Sequence, residues 1–152
     1  MIFLLDTDTL IFVVRALRSA GPGDERGRHR AVVARRIVAK CQKRQAAGDL
    51  VGVSAITVGE LEFGARKSGH YDREITAVRK VLSPFVAFDL DASRSAAMYG
   101  EVRHALETQG VPIGSMDMLI AGHAMALGAR LVTNNTAHFS RVSGLVCENW
   151  TA

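Results

Sequence analysis

The stretch MIFLLDTDTL, residues 1–10, decides the fold class. Met1–Leu5 is apolar without interruption and stops abruptly at Asp6-Thr7-Asp8. A strand with one solvated face alternates apolar and polar side chains, whereas an unbroken short run fits a parallel strand covered on both faces. Parallel strands need helical crossovers, so helices should alternate with strands along the rest of the chain.

Working outward, that alternation is present. Thr9–Leu17 reads as a helix, ahead of a Gly21-Pro22-Gly23 break. Arg28–Gln45 reads as a second helix, with Val32, Val33, Ile37 and Cys41 inward and the arginines outward. Gly48-Asp49 turns into a strand at Leu50–Ser54, and Ser54-Ala55-Ile56-Thr57 leads into another helix. Tyr71–Leu82 is helical and stops before Ser83-Pro84, after which Phe85–Leu90 forms a third apolar run. Ser93–Gln109 is a long helix closed by Gly110, a common C-terminal glycine. After the loop Val111–Gly114, a helix runs from Ser115 to about Leu127 and ends at Gly128. Arg130–Thr133 and a short segment near Leu145–Cys147 supply the last strands. The expectation is an α/β sandwich with a mostly parallel sheet, in a single domain over residues 1–152.

Composition narrows the function classes. With 48% hydrophobic and 22% charged residues, the 152-residue chain is ordinary for a soluble globular protein and long enough for a substantial core. No stretch reaches the roughly 18 apolar residues of a membrane span, so a soluble, cytoplasmic protein is expected. Cys41 and Cys147 form no CxxC pair and no disulfide framework, which fits a reducing compartment. Histidines 29, 70, 104, 123 and 138 show no zinc spacing. No nucleophile elbow and no glycine-rich nucleotide loop is present. Charge is uneven: Arg15 to Arg44 holds ten Lys or Arg against Asp24 and Glu25, while the net charge of the whole chain is +4. Such a segment suits a polyanionic partner, or is simply a solvated helical face.

The candidate chemistry lies in acids at element boundaries. Asp6 follows the first strand, Glu60 falls in the expected first turn after the second strand, and Asp117 in the first turn after the Val111–Gly114 loop. In open α/β sheets, functional groups collect at the carboxyl ends of strands. Three carboxylates there would suit Mg²⁺ or Mn²⁺, hard cations that also bind phosphate oxygens. Each acid has a bland explanation as well: Thr57 and Glu60 fit a capping box, Asp117 a helix-dipole position, and Asp6 or Asp8 an N-cap. Asp8 fits the capping role better than that of an extra ligand. Asp89 and Asp91 read as caps for the following helix.

Four blocks, in order, carry a resemblance: LDTDTLI at 5–11, SAITVGELEFG at 54–64, GVPIGSMDMLIA at 110–121 and LVTNNTAHF at 131–139, with Glu148-Asn149-Trp150 near the end. Together they resemble PIN-domain ribonucleases, in particular the VapC toxins of type II toxin–antitoxin systems. The resemblance implies a three-layer α/β/α sandwich around a mostly parallel sheet of four to five strands. It implies a Mg²⁺-dependent endoribonuclease (Mn²⁺ as substitute) with Asp6, Glu60 and Asp117 as metal-site acids. Asn135 stands where many relatives carry a fourth acid, and Asp8 where they often have Asn. The Thr-Asn-Asn-Thr block with the Glu-Asn-Trp ending resembles the subset acting on initiator tRNA, which would inhibit translation. A VapB-type antitoxin and a homodimer are the implied partners, and residues 18–49 are where such toxins commonly meet the antitoxin, with RNA backbone the other reading of their arginines. Two rival readings remain at this point: a phosphatase of the haloacid-dehalogenase type using Asp6 and Asp8, and an inactive RNA- or antitoxin-binding module.

Overall fold

The structure is a computed structural model and describes residues 1–18 and 24–152. The Gly21-Pro22-Gly23 break lies outside the described residues. Five strands form one sheet: β1 (Ile2–Leu5), β2 (Leu50–Ser54), β3 (Val86–Phe88), β4 (Arg130–Val132) and β5 (Cys147–Glu148). Their order is β3-β2-β1-β4-β5, and every pairing is parallel. The helices are α1 (Thr7–Arg18), α2 (Glu25–Ala46), α3 (Ala55–Lys67), α4 (Tyr71–Leu82), α5 (Ser95–Thr108), α6 (Ser115–Leu127) and α7 (Thr136–Phe139).

The apolar opening run is explained by where β1 sits. It is the middle strand, and its side chains alternate between two cores. Phe3 and Leu5 join a cluster built with α1 to α4, while Leu4 joins the cluster built with α5 and α6. All three are at most 1% exposed, and burying each stabilises the fold by roughly 1.5–3 kcal/mol. The three expected layers are therefore present, with helices on both faces of the sheet.

The strand order also fixes where a site can form. The chain winds from β1 outward through β2 to β3, then returns to β4 on the other side of β1. Connections leave β1 and β4 in opposite directions, which opens a crevice at their carboxyl ends. Asp6 and Thr133 are the residues immediately beyond those two ends.

Close approaches set the layer spacing. A Cβ at Gly52, in the middle of β2, would lie 2.3 Å from the Val86 carbonyl oxygen and 2.5 Å from the Phe88 ring. One at Gly122, on α6, would lie 2.8 Å from the Tyr99 backbone on α5. Only glycine lets these backbones meet so closely.

Three expectations from the sequence need correction. Val32 points outward and is 45% exposed. Ile37 and Cys41 face inward as expected and Val33 packs against the same core, but Gly27, Ala31 and Ala34 complete the buried stripe. Helix α3 starts at Ala55, with Ser54 as its N-cap accepting from the Ile56 N–H at 3.1 Å. Glu60 is accordingly in the second turn, not the first, and Thr57 and Glu60 do not form a capping box. Finally, the third strand is confined to Val86–Phe88, and the short helix α7 follows β4 unannounced by any periodicity.

Candidate functional site

Asp6 is the centre of the crevice. It is 2% exposed, and it caps α1: the Thr9 N–H donates to its Oδ1 at 2.8 Å. The Thr133 hydroxyl, beyond the end of β4, donates to Oδ2 at 2.5 Å. One carboxylate thus ties the start of α1 to the neighbouring strand. Burial pushes the Asp6 carboxyl up, the bonds from Thr133 and Thr9 pull it back, and the charge of Asp8 pushes it up again. Asp8 itself is exposed in the first turn of α1 and does not cap it, contrary to the sequence expectation. Asp91 does cap α5, accepting from the Ser95 and Arg94 N–H groups at 3.1 and 2.9 Å.

Asp117 lies in the first turn of α6, as expected. Burial and the negative charge of Asp8 both raise its carboxyl, and His138 works in the opposite direction. His138 Nδ1 is 3.8 Å from Asp117 Oδ2 and 3.1 Å from Asn135 Nδ2. Asn135 therefore reaches Asp117 through a histidine, a link that the sequence reading missed. Its signal is the three-residue spacing of Asn135 and His138 just after a strand end.

Glu60 is engaged elsewhere. The Thr7 hydroxyl donates to its Oε1 at 2.6 Å and is 3.0 Å from the Thr57 hydroxyl, which supplies Thr7 with its own donor. This Thr57–Thr7–Glu60 relay joins α3 to α1. The charge of Asp8 thus acts on both Asp6 and Asp117, Asn135 is linked to Asp117 through His138, and Glu60 is held to the side by Thr7. Among the described residues, no three acidic, histidine or cysteine side chains converge into a ready-made ligand set. The donor chemistry nonetheless fits a hard divalent cation: carboxylate and carboxamide oxygens only, with two carboxyls raised by burial and by a shared negative neighbour. A bound cation would relieve that repulsion.

Glu60 also stands at one end of a cleft of about 690 Å³ between α1, α3 and α4. Ile11, Val14 and Leu61 form its floor, and Arg18 and Arg30 lie on its rim. Arg18 makes a two-pronged ion pair with Glu74 across the cleft, at 2.5 and 2.8 Å.

Comparison with known proteins places this geometry. The PIN domain family matches residues 25–145. The tRNA(fMet)-specific endonuclease VapC of Salmonella typhimurium is 32% identical over 148 residues, 97% of each chain. The chain belongs to the PIN-domain family, in its VapC ribonuclease branch. A second relative, the tRNA(fMet)-specific endonuclease VapC of Shigella flexneri, is 41% identical over 98 residues, 64% of this chain and 74% of that protein. Among solved structures, VapBC2 from Rickettsia felis bound to a promoter DNA fragment aligns at TM-score 0.81 with 29% identity, covering 99% of both chains. DNA-bound VapBC from Salmonella typhimurium aligns at 0.79 with 31% identity, covering 99% of this chain and 98% of that one. Membership of a nuclease branch displaces the phosphatase reading of Asp6 and Asp8. In this PIN domain, Asp6 and Asp117 sit at the crevice that the strand order opens. No helix among the described residues is long and apolar enough to cross a membrane.

Proposed function

We propose that the protein is the toxin of a type II toxin–antitoxin pair, a divalent-metal-dependent endoribonuclease that cleaves tRNA, with initiator tRNA as the substrate, and so stops translation. The observation that carries this reading is Asp6: a nearly fully buried carboxylate at the sheet's switch point, oriented by two donors, with the charge of Asp8 acting both on it and on Asp117. The substrate follows from the relatives named for tRNA(fMet) cleavage.

Asp6 and Asp117 would hold the ion, Mg²⁺ or Mn²⁺, with Glu60 and the Asn135 carbonyl as further oxygen donors. When bound, such an ion polarises the phosphoryl group and makes water a better nucleophile at neutral pH. The protein's own residues supply orientation. Thr9 and Thr133 each occupy one oxygen of Asp6 and fix the plane of its carboxylate. His138 stands between Asn135 and Asp117. Thr7 holds Glu60 at the edge of the site, from which releasing one hydrogen bond frees the carboxylate. In-line attack by water would leave a 5′-phosphate and a 3′-hydroxyl.

The partner of this reading is a VapB-type antitoxin, because the solved relatives are toxin–antitoxin complexes. The cleft beside Glu60, apolar on its floor and lined with arginines, suits an amphipathic segment with acidic side chains. A homodimer is the proposed assembly.

The test is cleavage of a labelled tRNA pool by antitoxin-free protein in Mg²⁺ or Mn²⁺, with Asp6→Asn and EDTA controls. Discrete metal-dependent fragments that disappear in the variant support the reading. Fragments ending in 2′,3′-cyclic phosphate would refute it, because that chemistry uses the ribose hydroxyl as the nucleophile.

A further inference from the structure

A buried pair joins the helices that carry Glu60 and Asp117. His123 and Ser54 are both 0% exposed, and His123 Nδ1 is 2.8 Å from Ser54 Oγ. They are 69 residues apart and belong to different layers of the site. Ser54 ends β2 and caps α3, the helix carrying Thr57 and Glu60. His123 belongs to α6, the helix carrying Asp117. From this placement we infer that Ser54 and His123 are positioning residues, a cross-brace that sets the separation of Glu60 on α3 from Asp117 on α6. The inference rests on the proposed metal site.

Ser54 Oγ accepts from the Ile56 N–H at 3.1 Å, so its own proton is free to go to His123 Nδ1. The ring proton then sits on Nε2, which has no partner at hydrogen-bonding geometry, and the polar group facing the ring there is the Asp89 backbone carbonyl. Burial holds the imidazole below its ordinary value, consistent with a neutral ring whose Nδ1 accepts. An orphaned buried N–H costs about 1–3 kcal/mol. On its other side α6 is pinned by Gly122 against the Tyr99 backbone. With α5 holding one side and Ser54 the other, Asp117 has little freedom to drift from its neighbours.

Outer-shell partners that orient metal ligands are worth about 10- to 100-fold in metal affinity. The experiment titrates metal-free full-length protein with Mn²⁺ by calorimetry, comparing Ser54→Ala, His123→Phe and His123→Asn with wild type. Asp6→Asn and Asp117→Asn serve as controls, and melting curves verify the folded fraction. Ser54→Ala and His123→Phe should weaken Mn²⁺ binding about 10-fold or more and lower kcat on labelled RNA with KM unchanged. His123→Asn, whose amide oxygen replaces Nδ1 as acceptor, should restore most of both losses. Should His123→Phe not fold, His123→Leu takes its place, because Ser54→Ala also removes the N-cap of α3. Wild-type Mn²⁺ affinity in both variants, while Asp6→Asn abolishes binding, would overturn the inference and leave the site reading intact. A loss that follows the drop in melting temperature and is not rescued by Asn would also overturn it. If Asp6→Asn and Asp117→Asn bind Mn²⁺ like wild type, the site reading falls and takes this inference with it.

Discussion

A carboxylate buried beside another negative charge sits in a state it does not favour, and Asp6 is in that state. Its folded value is raised, first by burial, so the charged form destabilises the metal-free fold at every pH above that value. As pH falls through the raised value towards the ordinary 3.8, Asp6 takes up a proton and the penalty disappears. Asp6→Asn should therefore melt at a higher temperature than wild type at pH 7 without metal. The difference should shrink as the pH is lowered towards 4. Equal melting temperatures across that range would show that the carboxylate carries no penalty. Mn²⁺ should reverse the ranking, stabilising wild type by about 2.7 kcal/mol at 100 times its Kd and the variant hardly at all. At this scale the sequence was only partly readable. Asp6 and Asp117 announce themselves by following a strand and opening a helix. The partner of Glu60 is Thr7, 53 residues away in sequence, and no local pattern specifies such a contact. His138 was hidden for the same reason, since its link to Asp117 exists only once β4 has docked.

Among the elements, α6 decides whether the site holds its shape. Gly122 lets it lie against α5 at backbone distance, so Gly122→Ala would force a Cβ to within 2.8 Å of the Tyr99 backbone. Overpacking of this kind costs about 1–3 kcal/mol, and a domain of this size loses roughly 2–4 °C of Tm per kcal/mol. Thermal melts of the variant should show that drop, together with weaker Mn²⁺ binding as Asp117 is displaced. An unchanged Tm would mean that α5 yields instead. Elements were legible where periodicity was strong: Tyr71–Leu82 and Ser115–Leu127 were both read with the bounds the structure gives them. Misreadings came from competition between near-equal signals. In α2 Val32 outweighed its alanine neighbours on hydrophobicity, but the buried stripe of the helix takes the small side chains Gly27, Ala31 and Ala34 instead. Ser54 preceded Thr57 as the cap of α3, and a serine hydroxyl at a strand end is free to fill either role until the sheet is formed. Four-residue α7 is too short to show a period at all.

For the molecule as a whole, charge is uneven: α2 is strongly basic, and its Arg30 reaches the pockets lined by Glu60 and Asp8. Arg26, Arg28, Arg30 and Arg35 are all exposed along it. If this face follows an RNA backbone, binding of labelled tRNA to Asp6→Asn protein should weaken steeply with salt, with a slope of about −0.7 to −0.9 per phosphate contacted. Arg28→Gln with Arg35→Gln should make that slope shallower by about 1 to 2 while leaving cleavage of a short oligonucleotide unchanged. An unaltered slope would assign the face to the antitoxin or to solvent. EDTA should abolish cleavage and spare this binding, because the arginines need no metal. The fold class was readable from the sequence because it depends on alternation and on one unbroken apolar run. Strand order was not, since which strands neighbour β1 is settled by long-range pairing.

That order has a consequence for how the protein comes into being. β1 is the middle strand of the sheet and precedes both of its neighbours, β2 and β4, along the chain. β1 can pair with β2 early, but Val132 emerges roughly 80 residues after Val53, a wait of about 4–16 s at ordinary rates of synthesis. Until then Asp6 lacks its Thr133 donor, and α6 has no strand beneath it. If the proposed function holds, the nascent chain cleaves no RNA until β4 has been made and docked. On the proposed function, the need for a restraining partner arises only after Thr133 has emerged and reached Asp6.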